Sequence, residues 1–194
     1  MFMKQPARMT ESLCLACGLC CNGALFADVI LRGASERALF EDIGCVLRTQ
    51  GGGKRLPQPC PAWIQSRCQI YDRRPLYCRE FDCQLLLDCR NGQMTSKRAL
   101  SLIRRAARQL GAVERCFQQL NDRSTHLCLR LRFQRLRTRL ARRHLSPAES
   151  LIFSRLGLRI HQLNLLLSKY FLPSSPPHES PRKTNILTAH PSVT

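Results

Sequence analysis

From residue 95 onward the apolar positions recur with a helical period. Leu100, Ile103, Ala107 and Leu110 fall at i, i+3, i+7 and i+10, which is one face of a helix. Ser96 is placed to cap its start. The polar run Asn121-Asp122-Arg123-Ser124 breaks the pattern. Leu129, Phe133, Leu136 and Leu140 then resume it, although Leu127–Phe133 alone also fits an alternating strand. A third helix is marked more sharply. Ser146-Pro147-Ala148-Glu149 puts a capping serine before a proline at the first helical position and a glutamate at the third, a capping box. This helix is expected to run to about Leu172, where Pro173 follows. Its apolar residues, among them Leu151, Leu156, Leu163 and Phe171, suit a buried or partner-bound helix.

Upstream of residue 90 this periodicity is lost. Residues 22–59 form a connector in which Ala34–Leu47 suits a short helix. Gly51-Gly52-Gly53 reads as a flexible turn. With Lys54-Arg55 it could cradle a phosphate, but it lacks a following Gly-Lys-Ser/Thr, so a plain loop is the better reading. Aromatic residues make up only 6% of the chain, which disfavours a large sheet core. The expected fold is mainly α: a small, mostly irregular cysteine-rich head, metal-stapled, over 10–92, then a helical hairpin and a third helix over 95–172. Residues 173–194, rich in Pro, Ser, Thr and His, read as a disordered tail.

Charge adds a possible partner. The formal net charge is +18 over 194 residues. Between residues 97 and 143 stand fourteen Lys and Arg against only Glu114 and Asp122. Such a field attracts an acidic protein or a nucleic acid, unless it is simply a solvated arginine-rich surface. Aromatics for base stacking are almost absent there, which argues against sequence-specific single-strand recognition. No run of about 18 apolar residues is present, so no transmembrane helix is expected.

The cysteines carry the chemistry. Four stand in eight residues at Cys14, Cys17, Cys20 and Cys21, and four more follow at Cys60, Cys68, Cys78 and Cys83. Cys-x-x-Cys spacing brings two sulfurs to one ion, and a second pair from elsewhere completes a tetrahedral shell. The competing readings are disulfides and redox-active dithiols. The start, Met1–Arg8, has no apolar signal region, so a cytoplasmic chain is expected; thiols there stay reduced, and clustered reduced thiols are more often metal ligands. The adjacent pair Cys20-Cys21 suggests two metal atoms, because neighbouring side chains point apart. Two four-cysteine sites fit the count; so does an iron–sulfur cluster plus a structural zinc.

The same residues resemble a known family. Cys14-x-x-Cys17-Gly18-x-Cys20-Cys21, the Pro59-Cys60-Pro61 step and Cys68-x-Ile70-Tyr71-x-x-Arg74-Pro75-x-x-Cys78-Arg79-x-Phe81-x-Cys83 match, in order, the pattern of the CxxCxxCC cysteine-cluster (YkgJ-type) family of zinc- or iron-chelating bacterial proteins. The resemblance covers residues 14–83. It implies Cys14, Cys17, Cys20, Cys21, Cys60, Cys68, Cys78 and Cys83 as ligands, an iron–sulfur cluster or zinc as cofactor, and a cytoplasmic bacterial protein. Some relatives are linked to flagellin lysine methylation, and others are labelled iron–sulfur oxidoreductases. Three functions follow as expectations: an iron–sulfur oxidoreductase component, a protein-modifying enzyme resembling flagellin lysine-N-methylase, and a zinc-stapled module that binds through its basic helices. No Gly-x-Gly-x-x-Gly fingerprint, Ser-His-Asp set or carboxylate pair stands out to name a reaction.

The remaining features have plainer readings. Cys45, Cys89, Cys116 and Cys128 fall outside the pattern; Cys116 and Cys128 are read as helical core residues, and Cys89 as a possible substitute ligand. Arg74 and Arg79 either offset thiolate charge or pair with Asp72 or Asp82. Tyr71 and Trp63 are expected to pack over the site. His126, His144 and His161 are read as structural residues within helices.

Overall fold

The structure is a computed structural model that describes residues 5–173, with side chains from residue 11. The tail expected at 173–194 lies outside the described residues from 174 on. In chain order the elements are α1 (Gln5–Cys17), β1 (Asp28–Leu31), α2 (Ala34–Glu41), β2 (Arg48–Gln50), β3 (Gly53–Pro57), β4 (Trp63–Ile64) and β5 (Arg67–Cys68). A 3-10 turn (Tyr71–Arg73) precedes α3 (Leu76–Glu80), α4 (Gln84–Arg90), α5 (Ser96–Gln119), α6 (Leu129–Leu140) and α7 (Pro147–Tyr170). The fold is mainly α, as expected, with two small antiparallel sheets. None of the described helices is long and apolar enough to cross a membrane. The chain contacts divide into two compact units.

The helical unit comprises residues 5–17, 83–125 and 131–173. Within it α5 packs along α7, and α1 packs on α4 and α5. The buried stripe of α5 is Ala99, Leu102, Ile103, Ala106, Ala112, Val113, Cys116 and Phe117. Of the four expected face residues only Ile103 lies in it; Leu100 and Leu110 are half-buried and Ala107 is exposed. Phe117 is fully buried, and seating it sets the rotation of the helix. Ser96 is the first helical residue rather than the cap: Thr95 Oγ1 accepts from Arg98 N–H at 3.3 Å.

The second half of the hairpin is helical, so the strand alternative for Leu127–Phe133 is set aside. Leu136 and Leu140 are buried, and Phe133 stacks on Phe153 with centroids 5.8 Å apart. The capping box at Ser146 is present: its Oγ accepts from Glu149 N–H at 3.2 Å, and Glu149 Oε2 accepts from Ser146 N–H at 2.9 Å. The Arg143 guanidinium donates to the same carboxylate at 2.6 Å and, with Ser146, holds Glu149 down to about 2. On α7, Leu156, Leu163, Leu166 and Leu167 are buried, while Leu151, Leu158 and Leu165 are exposed.

The mixed unit comprises residues 18–82 and 126–130. Here a sheet of order β1-β3-β2 replaces the irregular head expected from composition. Gly51 and Gly52, both with positive φ (60° and 74°), form the two-residue turn between β2 and β3, with Gln50 opposite Gly53. The core is Val29, Leu31, Phe40, Leu56, Ala62 and Tyr77. Glu36 on α2 ties this core to α3: its carboxylate accepts from Arg32 N–H at 2.8 Å and from Leu76 N–H at 2.6 Å. The second of these is an otherwise unsatisfied first-turn donor of α3.

Candidate metal centre

The eight expected ligands are shared between the two units. Cys14, Cys17 and Cys83 belong to the helical unit; Cys20, Cys21, Cys60, Cys68 and Cys78 belong to the mixed unit. In the helical unit, Cys14 and Cys17 sit three residues apart at the end of α1, a spacing that places them on one face. The first Cys-x-x-Cys thus lies on a helix, an element the sequence pattern did not predict. Cys83 is the N-cap residue of α4, and its carbonyl accepts from Leu86 and Leu87 N–H at 3.0 and 3.1 Å.

In the mixed unit a closed loop presents Cys20 and Cys21. Gly18 carbonyl accepts from Cys21 and Asn22 N–H, both at 2.9 Å, and Leu19 carbonyl accepts from Leu25 N–H at 3.0 Å. Gly18 has φ +64°, and a side chain there would land on the Trp63 indole. Gly23 has φ +79°, and a side chain there would meet the Cys128 backbone at 2.9 Å. Trp63 therefore packs on Gly18 of the first cysteine block.

The two cysteine blocks meet in this unit. Cys60 N–H donates to the Cys21 carbonyl at 2.7 Å. Cys60 carbonyl accepts from Trp63 N–H at 2.9 Å, and Trp63 pairs across the short hairpin with Cys68. Cys78 N–H donates to Pro75 carbonyl at 2.9 Å. Cys60 and Cys78 pack half-buried against the core around Phe40 and Tyr77. Burial pushes the Cys60 thiol up to about 12, and charge on Cys78, Cys68 and Cys45 pushes it the same way. Cys45, a cysteine outside the sequence pattern, also packs half-buried against this core.

As a donor set these residues fit a thiophilic metal: half-buried sulfurs against apolar packing. They do not form a finished shell. Among the described residues no three His, Cys, Asp or Glu side chains are arranged to hold an ion.

The flanking residues take definite positions. Arg74 lies over the Tyr71 ring at 3.6 Å, and its Nε donates to Tyr71 carbonyl at 2.8 Å. Arg79 is exposed. Cys89 is buried on α4 and Cys116 on α5. Cys128, fully buried, lies just before α6 rather than within a helix, and His126 and His144 also lie outside helices; His161 is on α7.

The basic stretch is less uniform than its charge implies. Arg132 is buried, with Nε donating to Asp122 and Nη1 to Glu114, each at 2.6 Å. Arg139 donates to the Leu120 and Asn121 carbonyls at the end of α5, at 2.8 and 3.3 Å. Arg143 holds Glu149. These three are structural. Arg104, Arg105, Arg108 and Arg115 are exposed on α5, as are Arg135 and Arg142 further on.

Comparison with family models, with curated proteins and with solved structures found no match to this chain.

Proposed function

We propose that this chain is a thiolate metal-binding protein, with Cys14, Cys17, Cys20, Cys21, Cys60, Cys68, Cys78 and Cys83 as its ligands and an iron–sulfur cluster or zinc as its metal. The observation that supports this reading is the meeting of the two cysteine blocks in the mixed unit, where Cys60 N–H donates to the Cys21 carbonyl at 2.7 Å and Trp63, hydrogen-bonded to Cys60, pairs with Cys68. An iron–sulfur cluster would supply one-electron transfer; zinc would staple the fold. Anaerobically purified protein is expected to carry metal, and absorbance near roughly 400 nm with acid-labile sulfide identifies the cluster form. Cys20→Ser and Cys21→Ser are each expected to lower the metal content, while Cys116→Ser, in the helical core, leaves it unchanged. Equal content in all three variants overturns the ligand assignment.

A second reading rests on the exposed arginines of α5. We infer a sequence-independent polyanion surface from Arg104, Arg105, Arg108 and Arg115. Binding to duplex DNA or RNA, followed by anisotropy, should fall steeply with salt. Changing Arg104, Arg105 and Arg108 to Gln should flatten the slope of log K against log salt by up to about 2.7 for a duplex if all three touch phosphate. Arg132 and Arg139 are left intact because they hold the fold. No binding at low salt removes this reading.

A further inference from the structure

Leucines stand on two sides of α7. Leu156 and Leu163 are fully buried, and Leu166 and Leu167 continue that side. Leu151, Leu158 and Leu165 stand on the other and are 60%, 57% and 58% exposed. They are seven residues apart, so each lies about 10.5 Å along the axis from the next. A row of this spacing drifts by only about 20° per step, which keeps all three on one face. Single exposed apolar residues are ordinary on a protein surface. These are not single: among the described residues six large apolar side chains are exposed, and half of them form this row. The buried side already supplies the contact with the core, and a face left to water would carry polar residues instead.

The surroundings of the row decide what fits it. Three residues after each leucine stand Ser154, His161 and Ser168, all exposed. Identical helices pair through two apolar rows, and this face has one. Each copy of the chain also carries a net charge of +18, and Arg155 and Lys169 lie exposed beside the leucines. The single acid of α7, Glu149, is held by Arg143 and Ser146 at the start of the helix. Like charge therefore keeps two copies apart. An amphipathic helix of opposite charge supplies both missing parts. Its large apolar residues fill the space over Ser154 and Ser168, and its carboxylates meet Arg155 and Lys169.

We propose that the face of α7 formed by Leu151, Leu158 and Leu165 is a docking surface for an acidic, leucine-bearing amphipathic helix of another protein. The contact runs about 21 Å along α7, close to four helical turns. The leucines give it affinity, and the flanking cations select an acidic partner. This surface is separate from the cysteines and from the exposed arginines of α5.

The test uses the full chain and a fluorescein-labelled peptide of three heptads, followed by anisotropy. The peptide has leucine at the first and fourth positions of each heptad and glutamate at the fifth and seventh, so it repels itself. Wild type should bind it at physiological salt and should bind the version with lysine in place of glutamate weakly or not at all. Leu151→Gln, Leu158→Gln and Leu165→Gln together leave every charge in place. This triple variant should weaken the acidic peptide by roughly a hundredfold, about fivefold for each half-exposed leucine covered. Arg155→Glu with Lys169→Glu should reverse the preference between the two peptides. Arg104→Gln with Arg108→Gln, on α5, should change little, because salt screens distant exposed charges. All of these side chains are exposed, and helical circular dichroism checks that each variant folds. If the triple variant binds the acidic peptide as well as wild type does, the attraction is charge alone and the proposal fails. It fails equally if wild type binds neither peptide. If the chain alone sediments as a dimer that the triple variant loses, the face belongs to a second copy and the acidic-helix assignment is overturned.

Discussion

Gly18→Ala is expected to destabilise the mixed unit by about 2–5 kcal/mol, combining a left-handed backbone penalty of about 1–2 with an overpacking cost of about 1–3. Gly18 sits between Cys17 and Cys20, where the backbone turns at φ +64°. An added methyl would land on Cζ2 and Cη2 of Trp63. The Trp63 backbone is fixed by its pairing with Cys68 and its hydrogen bond to Cys60, so relief of the clash requires the indole to leave its rotamer. Trp63 is the single tryptophan of the chain, so its fluorescence reports this contact alone. The variant should show a red-shifted emission maximum and a lower urea midpoint, and it should hold less metal than wild type. Wild-type emission with a wild-type midpoint would mean that the indole does not rest on Gly18.

This contact also shows how far the sequence could be read. The helices after residue 95 were legible because a long amphipathic segment repeats its signal many times, and because the capping box at Ser146 is a local chemical statement. The N-cap of α5 was misplaced by one residue because Thr95 and Ser96 are both capping types, and only geometry decides which hydroxyl reaches Arg98 N–H. The sheet was missed for a different reason. Its strands are three to five residues long, and β2 and β3 carry Arg48, Lys54 and Arg55, so no hydrophobic alternation survives. Its best signal, Gly51-Gly52, is a hairpin signature that also reads as a flexible loop. α1 was hidden because the Cys-x-x-Cys spacing suits a turn or a helix equally well. At the candidate site the eight cysteines could be picked out by pattern. The position of Cys45 could not, because it depends on where α2 stops and which way Gly44 turns the chain.

Arg132→Met is expected to cost the helical unit about 3–5 kcal/mol, the range for removing one partner of a buried ion pair. From sequence, Arg132 was one more cation in a basic run. In the structure its side chain is 4% exposed and that of Asp122 is 2% exposed, with Nε donating to Oδ1 at 2.6 Å. The guanidinium also lies over the Phe117 ring at 4.1 Å, and its Nη2 reaches the Asp122 carbonyl at 3.4 Å. Asp122 in turn accepts from Ser124 N–H at 3.1 Å, so the pair fixes the turn that follows α5. Methionine would fill much of the space but leave the Asp122 carboxylate buried without its cation. Glu114, the other partner, has a side chain 39% exposed, and water can replace what it loses. Glu114→Gln should therefore cost about 1 kcal/mol or less. The double change Arg132→Met with Asp122→Leu should recover much of the loss, because no charge is then stranded. Urea melts of the full chain, followed by helical circular dichroism, separate these cases. If Arg132→Met and Glu114→Gln shift the midpoint equally, the buried pair is not what holds the turn.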